Sequence, residues 1–207
     1  MGNTTSFMRT DWKEILGSFT LLLAAGCGGL GEREADLFEK GRAAMEARDW
    51  EGAAGLLSAV IEAEPGFAPA YLLRGRANFE TGKYTNSLDD LGTAVASGDI
   101  TEDERFTAIL YRGRSLLEQG RAILPDTELR SLTGKPEERR NARDFFLKAN
   151  LLFLDASALR PESYDANLWR GYALFRLENY RKALEVLPLC EKTSPDRWEY
   201  RFFIALV

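Results

Sequence analysis

The sequence predicts an all-α solenoid of about four helix pairs plus a C-terminal helix. The first observation behind this is a register of small residues, aromatics and leucines that recurs around Gly41, Gly75 and Gly171. Gly41 and Gly75 are 34 residues apart, a period that belongs to stacked helical units. The second is the placement of proline: Pro65 and Pro161 each stand ten residues ahead of a repeat glycine, where a ring without an N–H ends the preceding helix. The third is composition. With 45% hydrophobic and 29% charged residues in 207, the chain has the profile of a folded protein and not of a disordered one.

In chain order, the first element is an apolar run from Ile15 to Ala25, interrupted by Gly17, Ser18 and Thr20. It is shorter than the roughly 20 residues of a membrane-spanning helix and fits the core of a signal peptide. Arg9 and Lys13 precede it. Ala24-Ala25-Gly26 and then Cys27 follow. This segment resembles a bacterial lipoprotein signal, in which small residues let a peptidase hold the extended backbone. The resemblance implies removal of residues 1–26, acylation of Cys27, and a Gly-rich tether over 27–32. It also implies a place in the cell envelope, lipid-anchored and facing the periplasm. Gly28 rather than Asp after the cysteine leans toward the outer membrane. An ordinary secretory signal, or an uncleaved anchor with a chance cysteine, remains an alternative. So does N-terminal myristoylation, since Met1-Gly2-Asn3-Thr4-Thr5-Ser6 fits that pattern, although it leaves the apolar core and Cys27 unexplained.

The repeats follow. Nine residues after Gly41, Gly75 and Gly171 stand Trp50, Tyr84 and Tyr180. Twelve after stand Ala53, Ser87 and Ala183, and sixteen after stand Leu57, Leu91 and Leu187. Pro65 and Pro195 lie 24 residues after Gly41 and Gly171. The pattern resembles the tetratricopeptide repeat family over nearly all of residues 33–207, and the family implies a right-handed helical solenoid. The physical logic is that the glycine and the small residue let two helices cross closely while the large residues fill the space between them. Repeats are expected at 34–65, 68–99, 106–161 and 164–195, with a terminal helix over 196–207. Repeat 3 departs from the pattern. Gly113 and Ala149, its glycine and small residue, are 36 residues apart instead of 12. The 24 extra residues carry the breakers Gly120, Pro125, Gly134 and Pro136. A loop over 121–135 and a long helix over 136–159 are therefore expected. Cys190 falls on an inward-facing position and reads as a buried core thiol.

Composition excludes several classes. The chain has no histidine, which removes Ser-His-Asp and Cys-His chemistry and the commonest metal ligand. Its two cysteines are 163 residues apart and form no zinc motif. A net charge of −5 argues against a nucleic-acid partner, which is bound through Lys and Arg on phosphates. Neighbouring acids such as Asp89-Asp90 and Glu137-Glu138 diverge around a helix and make no paired-carboxylate site. No enzyme activity, metal or cofactor is expected.

In the family the first helices line a groove for peptides or partner helices. The resemblance puts Arg42, Arg76, Arg114 and Tyr172 on that face, one position after each glycine. Phe38, Leu72, Leu110 and Leu168 stand three before the glycines, and Met45, Phe79, Leu117 and Phe175 four after. A line of arginines flanked by apolar residues suits an acidic segment or a chain's C-terminus, because guanidinium pairs bidentately with carboxylate. Alternatively the arginines pair with local acids, and the apolar positions are packing between repeats. The Lys and Asn carboxylate clamp of chaperone-binding members is absent. Arg74, Arg112 and Arg170, just before the glycines, read as structural. The C-terminal "DRWEYRFFIALV" is apolar where a repeat array needs a polar cap, so it either lids repeat 4 or serves association. The expectation is a non-catalytic envelope scaffold with a protein or peptide partner. The alternative is an assembly subunit that forms homo-oligomers or docks through this helix.

Overall fold

The computed structural model describes residues 30–125 and 135–206. The signal segment, Cys27 and most of the tether lie outside the described residues, as does the middle of the insertion. Ten helices are described: α1 (Glu32–Glu46), α2 (Trp50–Ala63), α3 (Ala68–Glu80), α4 (Tyr84–Ser97), α5 (Glu102–Ile123), α6 (Pro136–Leu159), α7 (Tyr164–Arg176), α8 (Tyr180–Val186), α9 (Leu189–Thr193) and α10 (Glu199–Leu206). From α1 to α8 each helix packs chiefly on its neighbours in the chain, and α9 and α10 fold back on α7, so the fold is an all-α solenoid of helix pairs.

The repeat glycines are seats. A Cβ on Gly41 would stand 3.0 Å from Leu57 Cγ, and one on Gly75 2.7 Å from Leu91 Cγ. On Gly113 it would stand 2.6 Å from the Phe153 ring, and on Gly171 it would run into Leu187. In each pair one bulky side chain of the second helix occupies the volume the glycine leaves. Ala53, Ser87, Ala149 and Ala183 are fully buried on the second helices. Each seated side chain, at 0% exposure, contributes roughly 1.5–3 kcal/mol of apolar burial.

The turns within repeats 1, 2 and 4 are the same helix stop. Asp49, Lys83 and Asn179 each donate a backbone N–H to the carbonyl three residues past the repeat glycine, at 2.9, 2.8 and 2.9 Å. The preceding residues, Arg48, Gly82 and Glu178, take φ of 60°, 75° and 59°. Those residues donate in turn to the carbonyls of Met45, Phe79 and Phe175, and this double closure satisfies carbonyls that a helix end leaves open.

Repeat 3 corrects one expectation. Gly120 does not break the helix, because α5 continues to Ile123. It is a second seat, and a methyl there would strike the Phe146 ring. Gly120 lies seven residues after Gly113, and Phe146 seven before Phe153. The inserted residues therefore lengthen both antiparallel helices by two turns before the chain leaves the stack. A capping box starts α5, with Thr101 Oγ1 accepting from Glu104 N–H at 3.2 Å. Gly98, at φ 76°, ends α4.

Repeat 4 corrects another. Its second helix is two pieces, α8 and α9, divided at Leu187 and Pro188. A mid-helix proline removes one hydrogen bond and clashes with the previous turn. Cys190 is fully buried, its thiol 3.7 Å from the Tyr164 carbonyl, and burial pushes its pKa up to about 12.

A polar knot joins the first two repeats. Arg74 donates to both Asp90 oxygens, Nε to Oδ2 at 2.9 Å and Nη2 to Oδ1 at 2.6 Å, while its Nη1 donates to Ser58 Oγ at 3.0 Å. Asn78 also donates to Asp90 Oδ2, at 2.9 Å. The bond to Asp90 raises the Arg74 pKa against the opposing effect of burial. One side chain thus ties α3 to both α2 and α4.

Gly113→Ala is expected to destabilise the protein by about 1–3 kcal/mol, because the rigid Phe153 ring must shift. Urea unfolding of the two proteins measures it.

Candidate functional site

The face built by the first helices carries the predicted arginines, and each has a specific setting. Arg42 Nη1 pairs with Glu39 Oε1 at 2.9 Å. The Arg76 guanidinium lies over the Tyr111 ring, 5.4 Å from its centroid. Arg114 lies among three rings, 4.4 Å from Phe79, 5.0 Å from Tyr111 and 5.3 Å from Trp169. Phe79 and Tyr111 meet edge to face at 5.2 Å. From α3 through α5 to α7 the side chains alternate: Arg76, Tyr111, Arg114, Trp169. Guanidinium over an aromatic face is a favourable cation–π contact. That contact uses the face of the cation, whereas a carboxylate is gripped by its N–H edges.

The apolar flanks follow the second of the two readings, packing between repeats, and not the first, an open groove lining. Phe38, Leu72, Leu110 and Leu168 are buried, as are Phe79, Leu117 and Phe175, all at 9% exposure or less. They pack between helices instead of lining an open groove. Phe38, for example, meets the Phe67 ring at 5.0 Å, and Leu168 sits in the core cluster of Cys190, Leu187 and Tyr200. Positions three before and four after a glycine lie on the same side of the helix as the glycine itself, so they face the neighbouring helices. Met45 alone of the set is half-buried.

Tyr172 is also closed off. It is 5% exposed, its ring 4.9 Å from Phe203 of α10, and its hydroxyl accepts from Arg176 at 3.0 Å. The α10 segment is docked by Arg197, which lies 3.7 Å over the Tyr164 ring and pairs with Asp165 and Glu199, each at 3.1 Å. Tyr164 donates to Glu199 Oε2 at 3.0 Å. Tyr200 is buried beneath, yet Trp198 and Phe202 stay 66% and 52% exposed. The helix is lid and exposed patch at once.

Tyr111 and Trp169 were absent from the sequence prediction. Both stand two residues before a repeat glycine, a register that holds Glu39 and Leu73 in the first two repeats and so shows no pattern along the chain. A second unpredicted feature is a hollow of about 260 Å³ at the turn edge. Arg139, Arg140, Arg143 and Arg176 line it, with Glu178 the one acid among the described lining residues. The buried Arg176 stacks 4.2 Å over Phe146 there.

Among the described residues no helix is long and apolar enough to cross a membrane. No group of three or more His, Cys, Asp or Glu among them could hold a metal ion.

These features define a helical-repeat protein whose surface chemistry sits on the faces of stacked helix pairs. The tetratricopeptide repeat family matches residues 38–103 and 139–187, more than half of the chain, and the chain belongs to that family. The unmatched stretch between them holds α5 beyond its first turn and the insertion. In fold the chain is similar to TTC0263, a thermophilic protein of the family from Thermus thermophilus. The identity is 17%, 84% of this chain and 80% of that one are covered, and the TM-score is 0.61. It is also similar to MamA of AMB-1, at 16% identity, with 85% and 87% covered and a TM-score of 0.64. No curated protein sequence matches it.

Burial alone would raise the Glu199 pKa, but bonds from the backbone, Arg197 and Tyr164 outweigh it and hold the group below its ordinary value. A depressed carboxylate stabilises the fold above its unfolded pKa and loses that contribution as pH falls. Thermal melts are therefore expected to lose stability below about pH 4.3, and Glu199→Gln should shrink that loss.

Proposed function

We propose that this protein is a non-catalytic scaffold of the bacterial cell envelope that holds an acidic segment of a partner protein against its first-helix face. The ladder Arg76–Tyr111–Arg114–Trp169 carries the reading. Guanidinium edges take the partner's carboxylates, and the rings beside them take its apolar side chains. Membership of a family of protein-binding repeats supports the class. Acylation of Cys27 would supply location, with three acyl chains contributing about 0.8 kcal/mol per buried CH₂. In that setting the scaffold assists assembly or secretion at the outer membrane, on its periplasmic side. A second reading, a structural subunit that associates through α10, is favoured by the exposed Trp198 and Phe202, whose rings meet at 6.4 Å.

A fluorescein-labelled peptide of alternating Glu and Phe tests the groove. Arg76→Gln with Arg114→Gln is expected to weaken its binding by about tenfold or more, with helical circular dichroism unchanged. Unchanged binding in that variant overturns the reading, and a loss in Phe202→Asp instead transfers the role to α10.

The anchor is tested by the intact mass of the full chain and of Cys27→Ala, both recovered from Gram-negative membranes. The wild type is expected to lack residues 1–26 and to carry acyl mass, and the variant to carry none. An unmodified wild type with its N-terminus intact sinks the localisation.

A further inference from the structure

In repeats 2, 3 and 4 the arginine just before the repeat glycine points away from the groove. Arg112 and Arg114 are two residues apart on α5, or about 200° around a helix of 3.6 residues per turn. In repeat 2 the equivalent side chain, Arg74, ends in the knot of Asp90, Asn78 and Ser58. Repeat 3 has lost all three partners. Counted from the glycine and the small residue of each repeat, Asn78 becomes Leu116, Asp90 becomes Leu152 and Ser58 becomes Gly92. The structure agrees with the count, since a Cβ on Gly92 would stand 3.8 Å from Arg112 Nη2. Arg112 Nε is buried with no hydrogen-bond partner among the described residues.

A cleft of about 420 Å³ opens where those partners would have been, between the second helices α4 and α6. Leu88, Leu116, Leu151 and Leu152 form its walls, and Arg112 and Lys148 supply positive charge against Asp89. Arg112 is half-buried, and covering part of a guanidinium without a hydrogen-bonding partner is costly; repeat 3 keeps the cation after losing the anion. Beside the cleft, Leu147, Leu151 and Leu154 are 43%, 58% and 41% exposed. They recur at i, i+4 and i+7, which is one face of α6. Repeat 4 has lost the same three partners. Its arginine is Arg170, and Leu174, Val186 and Leu154 stand where Asn78, Asp90 and Ser58 would be. Arg170 Nε is likewise buried without a hydrogen bond among the described residues, and burial lowers its pKa.

We propose that this outer face is a second docking surface, and that its occupant is an acidic amphipathic helix of a partner protein. The helix sets its carboxylates on Arg112, Lys148 and Arg170 and its apolar side chains along Leu147, Leu151 and Leu154. Charge complementarity sets the sign of the occupant. The carboxylate of the Arg74–Asp90 pair is supplied here by the partner instead of by the chain. The leucine stripe sets its form, since a helix presents apolar groups at the matching spacing. An uncharged apolar partner would leave the guanidiniums buried and unpaired.

A fluorescein-labelled helical peptide with Glu and Leu on one face, and a twin with Gln for Glu, test the proposal by anisotropy against the full chain. The Glu peptide is expected to bind, and its twin to bind about tenfold more weakly or worse. Arg112→Gln should weaken the Glu peptide by a similar factor, as should Leu151→Ser, whose exposed position leaves folding intact. The groove variant Arg76→Gln with Arg114→Gln should bind as wild type, which keeps the two readings separable. Equal affinity for the two peptides overturns the proposal, and so does wild-type binding by Leu151→Ser. Loss of binding in the groove variant alone also overturns it and assigns the acidic helix to the first-helix face.

Discussion

Everything in this protein depends on one contact, the seating of a large side chain from the second helix of each pair on a glycine of the first. The contact brings the two backbones close enough to exclude water. It also fixes the rotation of each helix about its own axis. A Cβ at any of these glycines would collide with Leu57, Leu91, Phe153 or Leu187, so neither helix can turn without emptying the seat. Once the rotation is fixed, every other residue on the helix has an assigned direction. The residue after the glycine faces one side of the solenoid, and the residue before it faces the other.

Two chemically different surfaces follow from this. On the first-helix side, Arg76 and Arg114 are spaced by aromatic rings, an arrangement that offers both charge and apolar area at one place. On the second-helix side, the arginines before the glycines begin as structural members and then lose that role. Arg74 is held by a carboxylate, a hydroxyl and an amide of its own chain, whereas Arg112 and Arg170 meet leucines, a valine and a glycine at the same positions. A net charge of −5 over the whole chain therefore hides cationic groups concentrated along two lines of the stack. Solenoids suit such division, because each repeat contacts only its neighbours and can vary its outer residues without disturbing distant ones.

Repeat 3 shows how the seat tolerates change. The turn between its helices is replaced by 24 added residues, yet the pair is preserved because the defining contact lies between helix bodies. The lengthened arms gain a second seat, Phe146 on Gly120. At the other end, Pro188 splits the last second helix just after Leu187. The seat survives because Leu187 precedes the break. The short segments beyond it and α10 are then held by side chains: Cys190 and Tyr200 in the core, and Arg197 across Tyr164, Asp165 and Glu199.

The repeat architecture was legible in the sequence because its determinants are local and periodic. Gly41, Gly75, Gly113 and Gly171, with their small and large partners at fixed offsets, specify which helices cross and where, and the prolines after them mark where helices stop. The family resemblance also offered Arg42, Arg76 and Arg114 as one line, since each stands one position after a repeat glycine. The sequence misread Gly120 as a breaker, because a glycine on paper is equally a stop and a seat, and only Phe146 from the facing helix decides between them. It left Phe38, Leu72 and Leu168 open between groove lining and packing between repeats, and packing closes them; it passed over Tyr111 and Trp169, whose rings matter only beside Arg76 and Arg114. By itself, the sequence determined the helices, their pairing and their faces. What tertiary structure alone decided was which arginines keep partners, which rings they meet and where a cleft opens. Those depend on side chains from different repeats, which no spacing along the chain records.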